Sequence, residues 1–387
     1  MIIGIDGNEA NVDKRVGIGE YSFELLKKFE KFSRGAGSRS AGQISNIKYQ
    51  IYLKDKPTED FPKESEAWKY RVVKPHKLWT QIALPFDLYL HRPRPDIFFT
   101  PSHYSPRFAP MLAAISIMDL SYIHFPELFK KSDLYQLVNW TKYSVEKASV
   151  VFTISHASKN DIIEVYKVPE NKIVVTYPGI KEISNFKFQI SNKSKMQNSK
   201  LIKEKYGIEG EYILFVGTLQ PRKNIERLIE AFPTLKKKDL QLVVVGKKGW
   251  MYEDILNAPK KCGVTERVNF LDSVTDEDLP SFYKNALCFV LPSLYEGFGL
   301  PVLEAMKYGC PVIASNVSSL PEAGGNAALY FDPENVQDIA EKIEKVISSE
   351  ELRKEMIKKG YEQIKKFSWE KTARETLKIL EELGGRS

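Results

Sequence analysis

The chain has 387 residues, 43% of them apolar, enough for two cores of ordinary domain size. Its net charge is +7, but the excess is local: residues 181–205 carry seven lysines against Glu182 and Glu204, and residues 33–48 carry Arg34, Arg39 and Lys48 with no acid. Charge confined to two polar stretches argues against a nucleic-acid-binding face, and three well-separated cysteines, Cys262, Cys288 and Cys310, read as small hydrophobes rather than a disulfide framework or metal cage.

The opening Met-Ile-Ile-Gly-Ile-Asp6 reads as a strand with no signal-peptide pattern, and no run approaches the ~18 apolar residues of a membrane span. The expected location is the cytoplasm. Gly17-Ile-Gly19 then precedes a helix expected from about Glu20 to Phe32; this glycine pair permits a close backbone approach to a ligand. It lacks the Gly-x-Gly-x-x-Gly spacing directly after a strand that marks a dinucleotide site. A Gly- and Ser-rich stretch over 33–47 reads as a disordered surface insertion. Further strands are expected at Tyr49–Leu53, Ile97–Thr100, Ala114–Ile117, Val150–Thr153 and Ile173–Thr176.

The basic segment 181–205 has neither helical nor strand period and reads as a linker with an insertion. Beyond it the alternation resumes, with strands expected at Tyr212–Gly217, Gln241–Gly246, Val268–Leu271, Leu287–Leu291 and Val312–Ala314. Short apolar strands alternating with helical segments predict two α/β domains with parallel sheets, over 1–180 and 206–366, and a terminal helix within 367–387.

Two stretches carry chemistry. In Pro292-Ser-Leu-Tyr-Glu-Gly-Phe-Gly-Leu-Pro-Val-Leu-Glu304, Glu296 is expected at the carboxyl end of a strand, where open α/β sheets bind ligands. Gly297 and Gly299 allow a close approach, and a helix from Leu300 with Pro301 in its first turn offers free N–H groups to an anion. Two carboxylates beside a phosphate repel it, so Glu296 and Glu304 are expected to face hydroxyl donors such as a sugar and a ribose. In the second stretch, Thr-Leu-Gln-Pro-Arg222-Lys223-Asn224 sets two cations after a strand, with Asn224 expected as the N-cap of a helix. Such cations stabilise charge that grows on a departing diphosphate.

The Glu296-x7-Glu304 spacing and the Arg222-Lys223 pair resemble the retaining family 4 glycosyltransferases. That resemblance implies the GT-B fold: two Rossmann-like domains facing across a cleft, the first on the acceptor side and the second holding the nucleotide sugar, with a last helix, beginning near Phe367-Ser-Trp369, that crosses back to the first domain. It implies that Glu296 contacts the donor sugar, Glu304 holds the ribose, and Arg222 and Lys223 bind the donor phosphates without a metal or other cofactor. Gly297, Phe298, Gly299 and Leu300 would shape the donor pocket together with Ser318-Ser-Leu-Pro-Glu322, and Gly17 and Gly19 would line the same cleft.

In Ile117-Met118-Asp119-Leu120, Met118 stands where many members have a histidine that contacts the sugar; methionine supplies neither the hydrogen bonds nor the proton. Asp119 is expected in the cleft by the motif, or as a turn residue, and His124 in the same loop reads more readily as structural. Gly246-Lys-Lys-Gly249-Trp250 resembles the segment flanking the base, and Trp250 is expected either to stack there or to pack in the core, with the core preferred.

The phrase Ser293–Pro301 is similar to mannosyltransferases of polysaccharide and O-antigen assembly, which implies GDP-mannose as donor and a saccharide or lipid-linked acceptor. For a lipid-linked acceptor, Phe125–Lys147 is the expected peripheral contact with the inner membrane face. The alternatives are a GT-B nucleotide-sugar epimerase and a catalytically silent sugar-nucleotide-binding protein.

Overall fold

The computed structural model describes residues 1–34, 47–180, 202–272 and 274–385, and it divides into two compact units, Met1–Gly179 with Phe367–Ser387, and Ile180–Lys366. The insertion expected over 33–47 and the basic linker over 181–205 fall almost wholly outside the described residues.

The first unit is built on seven parallel strands: β1 (Ile2–Asp6), β2 (Lys48–Leu53), β3 (Trp68–Val72), β4 (Ile97–Thr100), β5 (Leu112–Ile117), β6 (Val150–Thr153) and β7 (Ile173–Val175). Their order is β3-β2-β1-β4-β5-β6-β7. The middle strands are largely apolar, as parallel sheets covered on both faces require, and β4 and β6 have no exposed residue.

The first helix, expected from about Glu20 to Phe32, runs from Ile18 to Ser33 with Gly17 at its N-cap. The terminal helix Trp369–Gly384 belongs to this first unit. Ser368 caps it by accepting from the Lys371 N–H (3.1 Å), Trp369 packs edge-on against Tyr21 (ring centroids 5.7 Å), and the Thr372 hydroxyl donates to the Tyr177 carbonyl (2.5 Å). Gly179 is required there, since a Cβ on it would stand 2.1 Å from the Trp369 nitrogen.

The second unit has six parallel strands: β8 (Tyr212–Val216), β9 (Gln241–Val245), β10 (Val268–Leu271), β11 (Cys288–Leu291), β12 (Val312–Ser315) and β13 (Ala328–Phe331). Their order is β10-β9-β8-β11-β12-β13. In both sheets the chain first builds outward on one side and then restarts on the other. Loops leaving the two central strands therefore diverge, opening a crevice at the carboxyl edge between β1 and β4, and between β8 and β11.

Candidate active site

In the second unit, the loops after β8 and β11 meet at that crevice. The Leu294 N–H donates to the Arg222 carbonyl (2.9 Å), joining them. Lys223 donates to Glu296 Oε1 at 2.5 Å, and Arg222 Nη1 lies 3.3 Å from Glu296 Oε2 while also donating to the Tyr295 carbonyl. Glu296 is buried. Its other supports are serines: Ser293 Oγ donates to Oε1 (2.6 Å), Ser318 Oγ accepts from its N–H (3.0 Å), and Ser319 Oγ donates to its carbonyl (2.8 Å).

Burial pushes the Glu296 carboxyl up, but Lys223, then Arg222, and the hydrogen bonds from Lys223 and Ser293 outweigh it and hold the group at about 2. These three charged side chains carry one excess positive charge at a sheet edge suited to an anion.

Three local expectations change. Asn224 occupies the N-cap position of the helix Ile225–Ala231, yet its backbone is left-handed (φ 56°) and its side chain makes no cap. Its amide instead donates to the carbonyls of Pro292 (3.0 Å) and Pro333 (2.8 Å), pinning the cation-bearing turn Pro221–Lys223 onto the β11 loop. Second, Gly299 is fixed by the protein itself. It sits at φ 96°, ahead of the helix Leu300–Lys307, and a Cβ would come within 2.6 Å of Leu320 Cδ2. Third, Trp250 is 45% exposed, so the core-packing reading is wrong.

Gly297 and Phe298 are buried in the same loop, and Leu300 is half-buried at the helix start. Glu304, in the second turn of that helix, accepts from the Tyr283 hydroxyl (3.2 Å).

In the first unit, Asp119 Oδ1 accepts from the Ser121 N–H (2.9 Å), so it makes the turn that starts the short helix Ser121–His124. Its charge also acts on His103, whose proton affinity burial lowers and Asp119 raises. His124 Nε2 lies 3.1 Å from Asp161 Oδ2, and Met118 is buried with its carbonyl accepting from Ser158 Oγ (3.0 Å). Gly17 has φ 51° and open space beside it, whereas a Cβ on Gly19 would meet the Glu9 carbonyl at 2.8 Å; Gly19 is small because its own chain passes there.

A 340 Å³ cavity opens at the carboxyl ends of β1 and β4, lined among others by Asp6, Glu9, Trp79, Tyr104 and Trp140. Burial pushes the Asp6 carboxyl up to about 6 against hydrogen bonds from the Asn8 N–H (3.0 Å) and side chain (2.6 Å) and the charge of Lys54.

Sequence reasoning missed His103, Tyr283, Ser293 and Asp6. Ser293 lay within the quoted motif, and position three residues before Glu296 was its only signal. His103 follows β4 and has a buried Nδ1 without a hydrogen-bond partner among the described residues, a feature no linear spacing announces.

The model of the glycosyl transferases group 1 matches residues 198–363, and that of glycosyltransferase family 4 matches residues 54–182. The O-antigen chain mannosyltransferase B of Escherichia coli is 30% identical over 382 residues, covering 93% of this chain and 94% of that protein. The chain belongs to glycosyltransferase family 4.

A second relative, the serotype-specific mannosyltransferase WbdA of Escherichia coli, is 34% identical over 233 residues, 59% of this chain and 28% of that longer protein. Among solved structures, Anabaena Alr3699/HepE in complex with UDP-glucose superposes with a TM-score of 0.72 at 18% identity, covering 99% of both chains. The two parallel-sheet, Rossmann-like units are thus those of the GT-B fold. This family 4 member is an enzyme, a glycosyltransferase.

Proposed function

We propose that this glycosyltransferase moves mannose from GDP-mannose, with retention at the anomeric carbon, to a saccharide or lipid-linked acceptor in polysaccharide assembly. The relatives named mannosyltransferases support the sugar, and one observation carries the site: Arg222, Lys223 and Glu296 converge at the crevice between β8 and β11. In this reading Arg222 and Lys223 take the diphosphate, with no metal, and their attraction grows as the C1–O bond to the phosphate breaks and charge collects there. Glu296, ionised and fixed by its serines, accepts from sugar hydroxyls, and Glu304 from the ribose diol. Gly297, Phe298, Gly299 and Leu300 close the pocket wall.

The incoming hydroxyl forms the new bond to C1 from the face the diphosphate leaves and passes its proton to a phosphate oxygen. In the first unit the Gly17–Gly19 loop lines the donor and acceptor sides and Asp119 takes part in catalysis, and the cavity beside Asp6, with carboxylates and two indoles, suits a saccharide acceptor.

The test is calorimetric binding of GDP, UDP and dTDP sugars, followed by Glu304→Gln and Arg222→Ala on the best ligand and NMR assignment of the product anomer. Loss of roughly tenfold or more in affinity in each variant is expected. Equal affinity in wild type and both variants overturns the assignment, and an isomerised donor with no acceptor present would make the protein an epimerase.

A further inference from the structure

Exposed large apolar side chains gather on one short segment of the first unit. After Leu78, a wide π-type turn (Trp79–Ala83) runs into the helix Leu84–Leu90. One face, Trp79, Ala83, Leu84 and Leu88, is buried against Tyr52, Val73 and Phe98. On the other, Ile82 is 58% exposed, Phe86 66%, Tyr89 46% and Leu90 60%, at the three- and four-residue spacing of a single helical stripe. Scattered exposed hydrophobes need no explanation; a stripe on a helix already anchored by its other face does.

The charges within the segment are mostly of one sign. Residues 72–94 contain Lys77, Arg92 and Arg94, together with Lys74, which pairs with the exposed Asp55 (2.9 Å); the one acid of the segment, Asp87, is buried and paired with Arg71. Arg92 and Arg94 both donate to the Tyr89 carbonyl (3.0 and 2.6 Å), so guanidinium groups are held at the carboxyl end of the stripe, and exposed Lys77 stands at its start. Apolar side chains rimmed by fixed cations, with no exposed carboxylate in the segment, match an anionic lipid surface better than the mixed-sign rim of a protein partner. The stripe also begins at Leu78, which lines the 340 Å³ cavity, so a lipid carrier lying along it would present its head at that mouth. By contrast, the expected contact region Phe125–Lys147 offers only Tyr135 among the strongly exposed large hydrophobes.

We propose that Leu78–Leu90, with Lys77, Arg92 and Arg94, is a membrane-docking face that binds anionic bilayers. It extends the acceptor reading above, but vesicle binding needs neither donor nor acceptor, so either can fail without the other.

The experiment is co-sedimentation of the full chain with phosphatidylcholine vesicles and with vesicles that also contain phosphatidylglycerol, at low and high salt. Binding to the anionic vesicles that weakens with salt is expected. Ile82→Ser with Phe86→Ser should lower partitioning by roughly tenfold or more. Lys77→Glu and Arg92→Glu, at exposed positions that leave the core untouched, should each lower it by roughly fivefold. Circular dichroism and unchanged thermal unfolding serve as folding controls. No sedimentation of the wild type with anionic vesicles, or equal sedimentation of all variants, overturns the proposal. So does a dimer in sedimentation velocity that Phe86→Ser dissolves, which would assign the stripe to a second copy of the chain.

Discussion

At the residue scale, Glu296 organises the candidate site because two cations and Ser293 converge on its buried carboxylate while Ser318 and Ser319 hold its backbone. Removing its charge leaves Lys223 and Arg222 in a buried setting without that partner, and breaking such a pair costs about 3–5 kcal/mol. Glu296→Gln should therefore lower stability by about that amount in urea unfolding at neutral pH, beyond any effect on activity. Its pH signature follows from a folded value of about 2 against an ordinary 4.5: the stabilisation is fully present above 4.5 and is lost as pH falls through that window.

Asp6 runs the other way. With its folded value raised from 3.8 to about 6, the folded state binds the extra proton, so this group's contribution to stability falls as pH rises across that interval. Asp6→Asn should flatten that part of the stability profile and leave the protein more stable than wild type at pH values above 6, read by thermal unfolding at several pH values. The sequence marked Glu296 by its spacing from Glu304, but nothing linear marked Asp6, because its shift comes from burial.

At the element scale, loops leaving central strands carry the chemistry and edges carry the surprises. The β8 and β11 loops are locked together by Asn224, whose amide spans to Pro292 and Pro333; the sequence placed this residue correctly and misread its bond. Asx residues prefer helix caps, but a left-handed backbone at φ 56° turned this side chain toward the neighbouring loop.

Two strands escaped the apolar-run criterion, β3 (Trp68–Val72) and β13 (Ala328–Phe331), and both lie at a sheet edge, where one neighbour is missing and polar residues are tolerated. The terminal helix offers a clean test. Trp369 is buried against Tyr21, and Trp369→Ala should destabilise the first unit by about 3–5 kcal/mol, seen as loss of the most stable amide protection in Met1–Gly179.

At the scale of the whole molecule, each unit has its own sheet and its own buried core, and the chain leaves the first unit near Gly179 and re-enters it at Phe367. The cations and both motif glutamates belong to the second unit. A nucleoside diphosphate should therefore protect that unit selectively in hydrogen exchange, with the strongest effect over residues 217–224 and 293–304, and at a hundredfold excess over Kd it should add about 2.7 kcal/mol to that unit's stability. Protection spread evenly over both units would point to a different binding site. No helix among the described residues is long and apolar enough to cross a membrane.

The sequence by itself determined the class of architecture, because continuous apolar strands alternating with helices have few ways to bury themselves other than covered parallel sheets. It also determined the carboxylate and cation motifs, since Glu296, Glu304, Arg222 and Lys223 sit in short loops whose chemistry is local. Only the tertiary structure decided which groups meet. The Glu296 ion pairs join residues more than seventy positions apart, the His103 Nδ1 is buried with no hydrogen-bond partner among the described residues, and the Ile82–Leu90 stripe stays exposed because Trp79, Ala83, Leu84 and Leu88 alone find a core. Pairing, desolvation and exposure are properties of neighbours in space, and a linear chain specifies them only through the fold it adopts.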